Sequence, residues 1–310
     1  MPSLPSSIAR LQSSFWTDRS PNFRGAICVI VGEVFLIMSV AVGKALGDEL
    51  HAFEIVFFRF LVAFLSILPV VWGIGFTHLK TKIPRLHLTR SFVGYMGNLC
   101  QFWAAIHLAL ADAVTIQFSR PLILVVIAAT ILHEVVTRGR ALVTLVGFGG
   151  VLLVTRPFGD GVDPGYLVAM AGAVFATLVV LSVKMLSRSE STVVIMFYFS
   201  FFTLLLSIVP AIFVWQTPTW SQLLLLIVVG VSGLVGQSLF THGITLGETS
   251  FLMPFDYLRI VYSFFVGLIF FAEIPTAWSI AGALVIFASS LYLLRTEGGK
   301  AKASPPPKAP

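Results

Sequence analysis

Charge is what this sequence has least of. Only 11% of its 310 residues are Asp, Glu, Lys or Arg, against about 25% in ordinary soluble domains. Hydrophobic residues make up 57% and the mean hydropathy is +0.95. A soluble domain could not hide that much apolar surface, because roughly a quarter of the unfolded-chain surface stays wet even in a large one. Soluble, disordered and fibrous chains are excluded, and lipid is the solvent required. Cysteine is nearly absent. Cys28 and Cys100 lie inside apolar runs, so they form neither a disulfide framework nor a metal site and read as buried small hydrophobes. The sequence has no Gly-x-Ser-x-Gly elbow, no Walker loop and no His/Cys cluster with metal spacing. His133-Glu134 begins like a zinc-protease motif, but Thr137 takes the place of the second His. No catalytic residue, metal or cofactor is therefore expected. A membrane-embedded enzyme and a channel remain the alternatives to a carrier.

What is present is a series of apolar runs. A spanning helix needs about 20 of them in a row. Ten segments qualify, roughly 24–45, 53–74, 88–109, 111–132, 138–155, 165–184, 192–214, 219–243, 249–272 and 276–295. The runs are continuous rather than alternating, which excludes a β-barrel. The fold class expected is an all-α membrane protein of ten transmembrane helices. Connections are short, leaving no room for a second soluble domain. Residues 1–23 read as a cytoplasmic tail and not a removed signal peptide. Residues 296–310, rich in Lys, Pro and Ala, read as a disordered cytoplasmic tail.

The basic residues fix an orientation. With the N-terminus inside, fifteen of the 20 Lys and Arg residues fall on the cytoplasmic side, Lys80, Arg85, Arg90, Arg138 and Lys184 among them, and only Lys44 and Arg156 fall outside. That bias places both termini in the cytoplasm, at a cell (inner) membrane. The net charge of +6 is thus topological, and no nucleic-acid partner is needed to explain it. Lipid and a small-molecule substrate are the expected partners; scattered glycines say nothing of oligomeric state.

The chain also repeats itself. Gly25 and Lys44 return as Gly165 and Lys184; Gly94, Gly97 and Gln101 as Gly230, Gly233 and Gln237; Asp112 as Glu248. Arg120, Glu134, Thr137, Phe148 and Arg156 return as Arg259, Glu273, Thr276, Phe287 and Arg295. Two units result, 24–156 and 165–295, of five helices each. Five is odd, so the second unit enters from the opposite face. Inverted repeats of this kind build many secondary transporters, with substrate near the midplane at the repeat interface.

At these residues the sequence resembles the EamA family of the drug/metabolite transporter superfamily. The likeness is carried by Lys44, Phe58-Arg59-Phe60, Leu110-Ala111-Asp112-Ala113, Pro121 and Glu134, the stretch Gly147-Phe148-Gly149-Gly150 through Arg156-Pro157, Pro254-Phe255-Asp256-Tyr257-Leu258-Arg259, and Phe271-Ala272-Glu273-Ile274-Pro275. It covers nearly the whole chain, one unit per repeat. It implies a secondary, ATP-independent transporter working by alternating access. Cargo in such relatives ranges from amino acids to S-adenosylmethionine and riboflavin, in either direction. The second unit departs at one place, where Phe199 stands at the position of Arg59.

Ionisable residues at bilayer depth are the main functional signal. Each costs about 2.5–3.5 kcal/mol on insertion scales, so it persists when paired or when it lines a wet cavity. Arg120 and Arg259 lie near the centres of their spans, with Asp256 three residues before Arg259. Glu33 is near the middle of the first span, Arg59 is deep in the second, and Glu54 is at an edge that reaches water. Arg120 and Arg259 suit a substrate carboxylate or phosphate. Asp256 or Glu33 suits an amine or an exchangeable proton. The competing structural reading pairs Asp256 with Arg259 and Glu33 with Arg59. Three cations against two acids leave one positive charge, which favours an anionic or zwitterionic cargo. Asn98, Gln101, Gln117 and Gln237 either line the cavity or bond between helices. Trp103, Tyr257 and Tyr262 are candidate walls for a planar solute, with plain packing as the alternative. Pro121 and Pro254 are expected to bend the fourth and ninth spans, and Glu134 and Glu273 to anchor span ends at the membrane boundary.

Overall fold

A computed structural model of the chain describes residues 20–130, 138–155, 163–246, 252 and 255–301. The regular structure in them is helical: α1 Pro21–Ala45, α2 Ala52–Ile74, a 3-10 turn Phe76–Leu79, α3 Pro84–His107, α4 Leu110–Gln117, α5 Arg120–Thr130, α6 Arg138–Thr155, α7 Pro164–Leu186, α8 Thr192–Phe213, α9 Trp220–Leu246, α10 Leu258–Phe271 and α11 Ala277–Ala301. Helix starts are written into the sequence. Ser20 accepts from the Phe23 amide with Pro21 at the first turn, Asp163 from Gly165 with Pro164 following, and Ser191 from Val194. Each cap satisfies an amide the helix itself leaves open. Large apolar side chains such as Leu145, Phe213, Leu224, Phe265 and Ile269 are exposed on the outside, as lipid contact requires.

Six segments, including α1, α2, α7, α8 and α9, are long and apolar enough to cross a membrane, and α6, α10 and α11 carry shorter apolar stretches. α3 falls short because Arg85, Arg90, Asn98 and Gln101 dilute its apolar run.

Three expectations are corrected here. The fourth span is not a bent helix but two helices. α4 ends at Gln117, Phe118 and Ser119 turn, and α5 begins at Arg120. Pro121 therefore sits in a first helical turn, where its missing N–H costs nothing, and the Ser119 hydroxyl takes up the Ile116 carbonyl at 2.7 Å. The ninth span is likewise interrupted, by a turn at Tyr257 just before α10; Pro254 lies outside the described residues, as do Glu134 and Arg156. The last helix continues past Thr296 to Ala301, through Gly298 and Gly299.

The helices pack as cross-pairs, α1 with α9, α3 with α7, α2 with α8, α6 with α11 and α4 with α10. Each pair takes one member from residues 21–155 and one from 164–301. The α1–α9 contact is backbone on backbone. A Cβ on Gly32 would meet the Gly236 carbonyl at 3.0 Å, and one on Gly25 the Gly243 carbonyl at 3.0 Å. Gly150 and Gly282 make the same approach between α6 and α11.

Candidate substrate cavity

A cleft enclosing about 610 Å³ of empty space, its mouth included, lies among α1, α2, α3, α4, α5, α7, α9 and α10. Its polar lining is Arg59, Asn98, Gln101, Gln117, Arg120, Gln237 and Arg259, and its apolar walls include Leu36, Val40, Val179 and Phe240. α3 contributes four lining residues, Gly94, Gly97, Asn98 and Gln101, which explains why it is the least apolar of the long helices. α1 adds Leu36 and Val40, α2 adds Arg59, and α7 adds Ala176, Val179 and Val180.

The helix breaks position the charges. Arg120 is the first residue of α5 and Arg259 the second of α10. The turn residues before them, Phe118 and Tyr257, pack ring on ring at 4.9 Å. The two helix breaks therefore meet at these rings, and the arginines rise from that meeting point.

One of the two pairs the sequence suggested is found, Asp256 with Arg259, and the other is not. Glu33 does not pair with Arg59. It is fully buried and holds Arg259 through both oxygens, Oε2 to Nε and Oε1 to Nη2 at 3.0 Å. Asp256 bonds Arg120 Nη2 through Oδ2. Its other oxygen lies 3.7 Å from Arg259 Nη2 and makes no hydrogen bond. The expected Asp256–Arg259 ion pair is thus present at 3.7 Å, but the hydrogen bonds of both side chains go to the other half of the chain, Asp256 to Arg120 and Arg259 to Glu33. Arg59 is left with the Ser39 hydroxyl at 2.9 Å and the faces of Phe102 and Phe60 at 5.2 and 5.8 Å. No carboxylate among the described residues pairs with it. Its guanidinium lies flat on Gly233, where a Cβ would come within 2.8 Å of Arg59 Cζ.

Of the neutral candidates, Asn98 donates to the Gly94 carbonyl at 2.7 Å, one turn back on its own helix, and still lines the cleft. Gln101, Gln117 and Gln237 line it as well. The three aromatic candidates do not. Trp103 stacks on His107 at 3.9 Å; Tyr257 packs between Phe118 and Phe287; Tyr262 packs against the apolar core beside Ile260. Aromatic residues fill cores as readily as cavities, and their type alone does not separate the two.

Three residues were misplaced by reading along the chain. Glu54 does not reach water. It is fully buried at the start of α2, and its Oε2 accepts from the Gln216 amide at 3.2 Å. Arg90 is not a cytoplasmic loop charge but is buried within α3 at 1% exposure. Glu273 is more than a boundary anchor. It pairs with Lys44 at 2.9 Å and accepts from the Leu110 amide at 2.7 Å. Lys44 also donates to the carbonyls of Ala105 and Leu108 at 2.6 and 2.7 Å. The left-handed turn at Ala272 ends α10 and aims Glu273 there. Together these contacts tie the ends of α1, α3 and α10 to the start of α4. Among the described residues, no group of three or more His, Cys, Asp or Glu is placed to hold a metal ion.

Comparison with known proteins adds the following. The profile of the EamA-like transporter family matches the chain twice, over residues 23–156 and 163–295. A protein named S-adenosylmethionine uptake transporter from Rickettsia bellii (strain RML369-C) is 31% identical over 82% of this chain and 87% of its own. The pseudopaline exporter CntI of Pseudomonas aeruginosa is 30% identical over 88% of this chain and 96% of its own. One solved crystal structure superposes with a TM-score of 0.61, covering 90% of this chain and 99% of that one at 19% identity, which shows a shared fold.

Proposed function

The chain belongs to the EamA-like transporter family and is a multi-pass membrane transporter, and from that premise we propose that its cargo is a small zwitterionic or anionic metabolite bearing a carboxylate. Amino-acid-like solutes and nucleoside-type cofactors such as S-adenosylmethionine are the class. The observation that carries this reading is Arg59. It lines the cleft, it is 4% exposed, and its guanidinium has no carboxylate partner among the described residues. A buried cation is costly unless compensated. A substrate carboxylate supplies the missing charge, and the guanidinium fork fits it in two bonds.

Arg120 and Arg259 line the same cleft but are held from behind by Asp256 and Glu33, so they orient the cargo and contribute less charge. Asp256 Oδ1, buried behind the cleft wall and without a hydrogen bond, is the place for an exchangeable proton. Asn98, Gln101, Gln117 and Gln237 complete the polar wall. The relatives named for S-adenosylmethionine uptake and pseudopaline export support a metabolite carrier and leave direction open between them.

In this reading the two matched units form an inverted repeat with both termini cytoplasmic, at the inner membrane. The cross-pairing of helices supports it. Exchanging the two halves maps the pair α1–α9 onto α7–α3 and the pair α2–α8 onto itself, as a two-fold axis in the membrane plane requires. The halves then rock about the cleft, with α1 and α7 among the moving walls.

The test is uptake and counterflow in proteoliposomes, with S-adenosylmethionine, amino acids, riboflavin and organic anions supplied in turn. Saturable uptake with counterflow for a carboxylate-bearing solute is expected, and so is its loss in Arg59→Gln. Ohmic unitary currents, chemical conversion of the solute, or wild-type uptake by Arg59→Gln would overturn the reading.

A further inference from the structure

A second arginine is buried without a partner, outside the cleft. Arg90 is 1% exposed, and all three of its guanidinium nitrogens lack a hydrogen bond. It lies over the ring of Phe199 at 4.0 Å. Its Nη1 rests against Gly94 so closely that no Cβ would fit there. Gly94 is itself part of the cleft wall. Glu190, the carboxylate beside His87 one turn before Arg90, is engaged elsewhere, accepting from Thr81 at 2.7 Å with His87 at 3.9 Å.

The arrangement mirrors that of Arg59. Arg59 packs on aromatic faces and on Gly233 of α9, while Arg90 packs on an aromatic face and on Gly94 of α3. Gly94 and Gly97 are the counterparts of Gly230 and Gly233 in the repeat, and Phe199 is the counterpart of Arg59. The second unit thus has no arginine on its own equivalent helix, and Arg90 of a different helix lies over the ring that stands in its place. α2 and α3 are consecutive antiparallel spans. Arg59 is the eighth residue of α2 and Arg90 the seventh of α3, so a rise of about 1.5 Å per residue puts them on opposite sides of the midplane, roughly 14 Å apart along the normal.

We infer that Arg90 is a second anion subsite, which takes the cargo carboxylate when the cleft opens toward the end of the bundle where α3 begins. It rests on the carboxylate reading of the cargo above. Arg59 receives the carboxylate on one side of the membrane, and Arg90 receives it on the other. The cleft as seen here stops at Gly94, with Phe199 covering the guanidinium. Two buried cations of like sign, each short of a partner, then serve the two access states in turn, and the carboxylate always has a guanidinium within reach.

Two measurements test it. In proteoliposomes, counterflow of S-adenosylmethionine by Arg90→Met should fall by about tenfold or more, the loss expected for one charge-assisted contact, while Arg90→Lys keeps most of the rate. Thermal-shift affinity from the Arg59 side should be unchanged in both. Wild-type counterflow by Arg90→Met overturns the inference, and so does loss of transport in a well-folded Arg90→Lys. The second measurement needs no substrate. With Cys28 and Cys100 replaced, Arg90→Cys should react with a small charged thiol reagent applied from one face of sealed vesicles only. Reaction from neither face shows permanent burial and overturns the inference whatever the cargo is. Failure of the wild type to move S-adenosylmethionine refutes that cargo and leaves the labelling result to decide for Arg90.

Discussion

The two regions around the cleft handle buried charge in opposite ways. At the helix breaks, Glu33, Asp256, Arg120 and Arg259 form a chain of contacts in which each arginine has a carboxylate against it. On the flanks, Arg59 and Arg90 lie on aromatic rings and on glycine backbone with no carboxylate partner among the described residues. Pairing at the break stabilises a geometry, because charges that satisfy each other hold two discontinuous helices in register. Aromatic cradles on the flanks hold a cation in place while leaving its charge uncompensated. The first arrangement suits scaffolding and the second suits recognition.

The largest expected effect comes from breaking the paired region. Glu33→Gln leaves Arg259 buried opposite a neutral amide. Removing one partner of a buried pair costs about 3–5 kcal/mol, so thermal unfolding in detergent should shift strongly downward, with transport lost. The double substitution Glu33→Gln with Arg259→Gln should regain much of the stability and none of the transport. If the single substitution were silent in the melt, the scaffolding role would be wrong.

The flank should respond the other way. Arg59→Gln removes an uncompensated cation, so stability should stay within about 1 kcal/mol of wild type or rise. Substrate affinity should fall by about 10- to 100-fold, matching the loss of a hydrogen bond to a charged group. A melt and a binding isotherm on the same preparation check both halves. A Glu33-like collapse of stability would erase the distinction between the regions.

Much of this was legible in the chain and some was not. The seven polar side chains of the cleft stood out because a charge or amide in an apolar run must face inward, whatever the fold. The hydrogen-bond partners were not legible. Asp256 keeps the ion pair with Arg259 that the spacing suggests, but its hydrogen bond goes to Arg120 and that of Arg259 to Glu33, both from the other half, and only the packing of the helices decides that. Arg90 and Glu54 were missed because each sits in the first two turns of its helix, where a charge looks like a loop charge. One signal did point to Arg90: Phe199 at the place of Arg59 left an equivalent site without its cation. The broken helices were read as bends because a proline marks a missing bond but not how far the chain departs from helix.

Between the regions lies the α1–α9 contact, and it ranks next. A Cβ on Gly236 would stand 2.8 Å from the Gly32 carbonyl and 2.9 Å from the Leu36 amide, both backbone atoms that cannot swing away. Gly236→Ala should cost about 1–3 kcal/mol, the usual range for overpacking, and should narrow the cleft that α1 walls through Leu36 and Val40. Gly97→Ala is the comparison, since its Cβ would meet Phe175 Cβ at an ordinary 3.4 Å. Equal melting temperatures for the two variants would show that the close approach is not rigid.

The smallest effect should come from the ion pair at the rim. Lys44 and Glu273 are 2.9 Å apart, but their side chains are 11% and 20% exposed, against 8% and 0% for Arg259 and Glu33. Water at the rim can replace a lost partner, so the coupling energy of a Lys44→Met, Glu273→Gln double-mutant cycle should be about 1 kcal/mol or less. The rate should respond more than the stability. Lys44 ties the end of α1 to the carbonyls of Ala105 and Leu108, so loosening it frees α1 at one mouth of the cleft. Lys44→Met should therefore change counterflow rate while leaving affinity within about twofold. A coupling as large as that of Glu33 with Arg259 would mean that burial does not set the worth of these pairs, and the contrast between paired core and unpaired flank would need another cause.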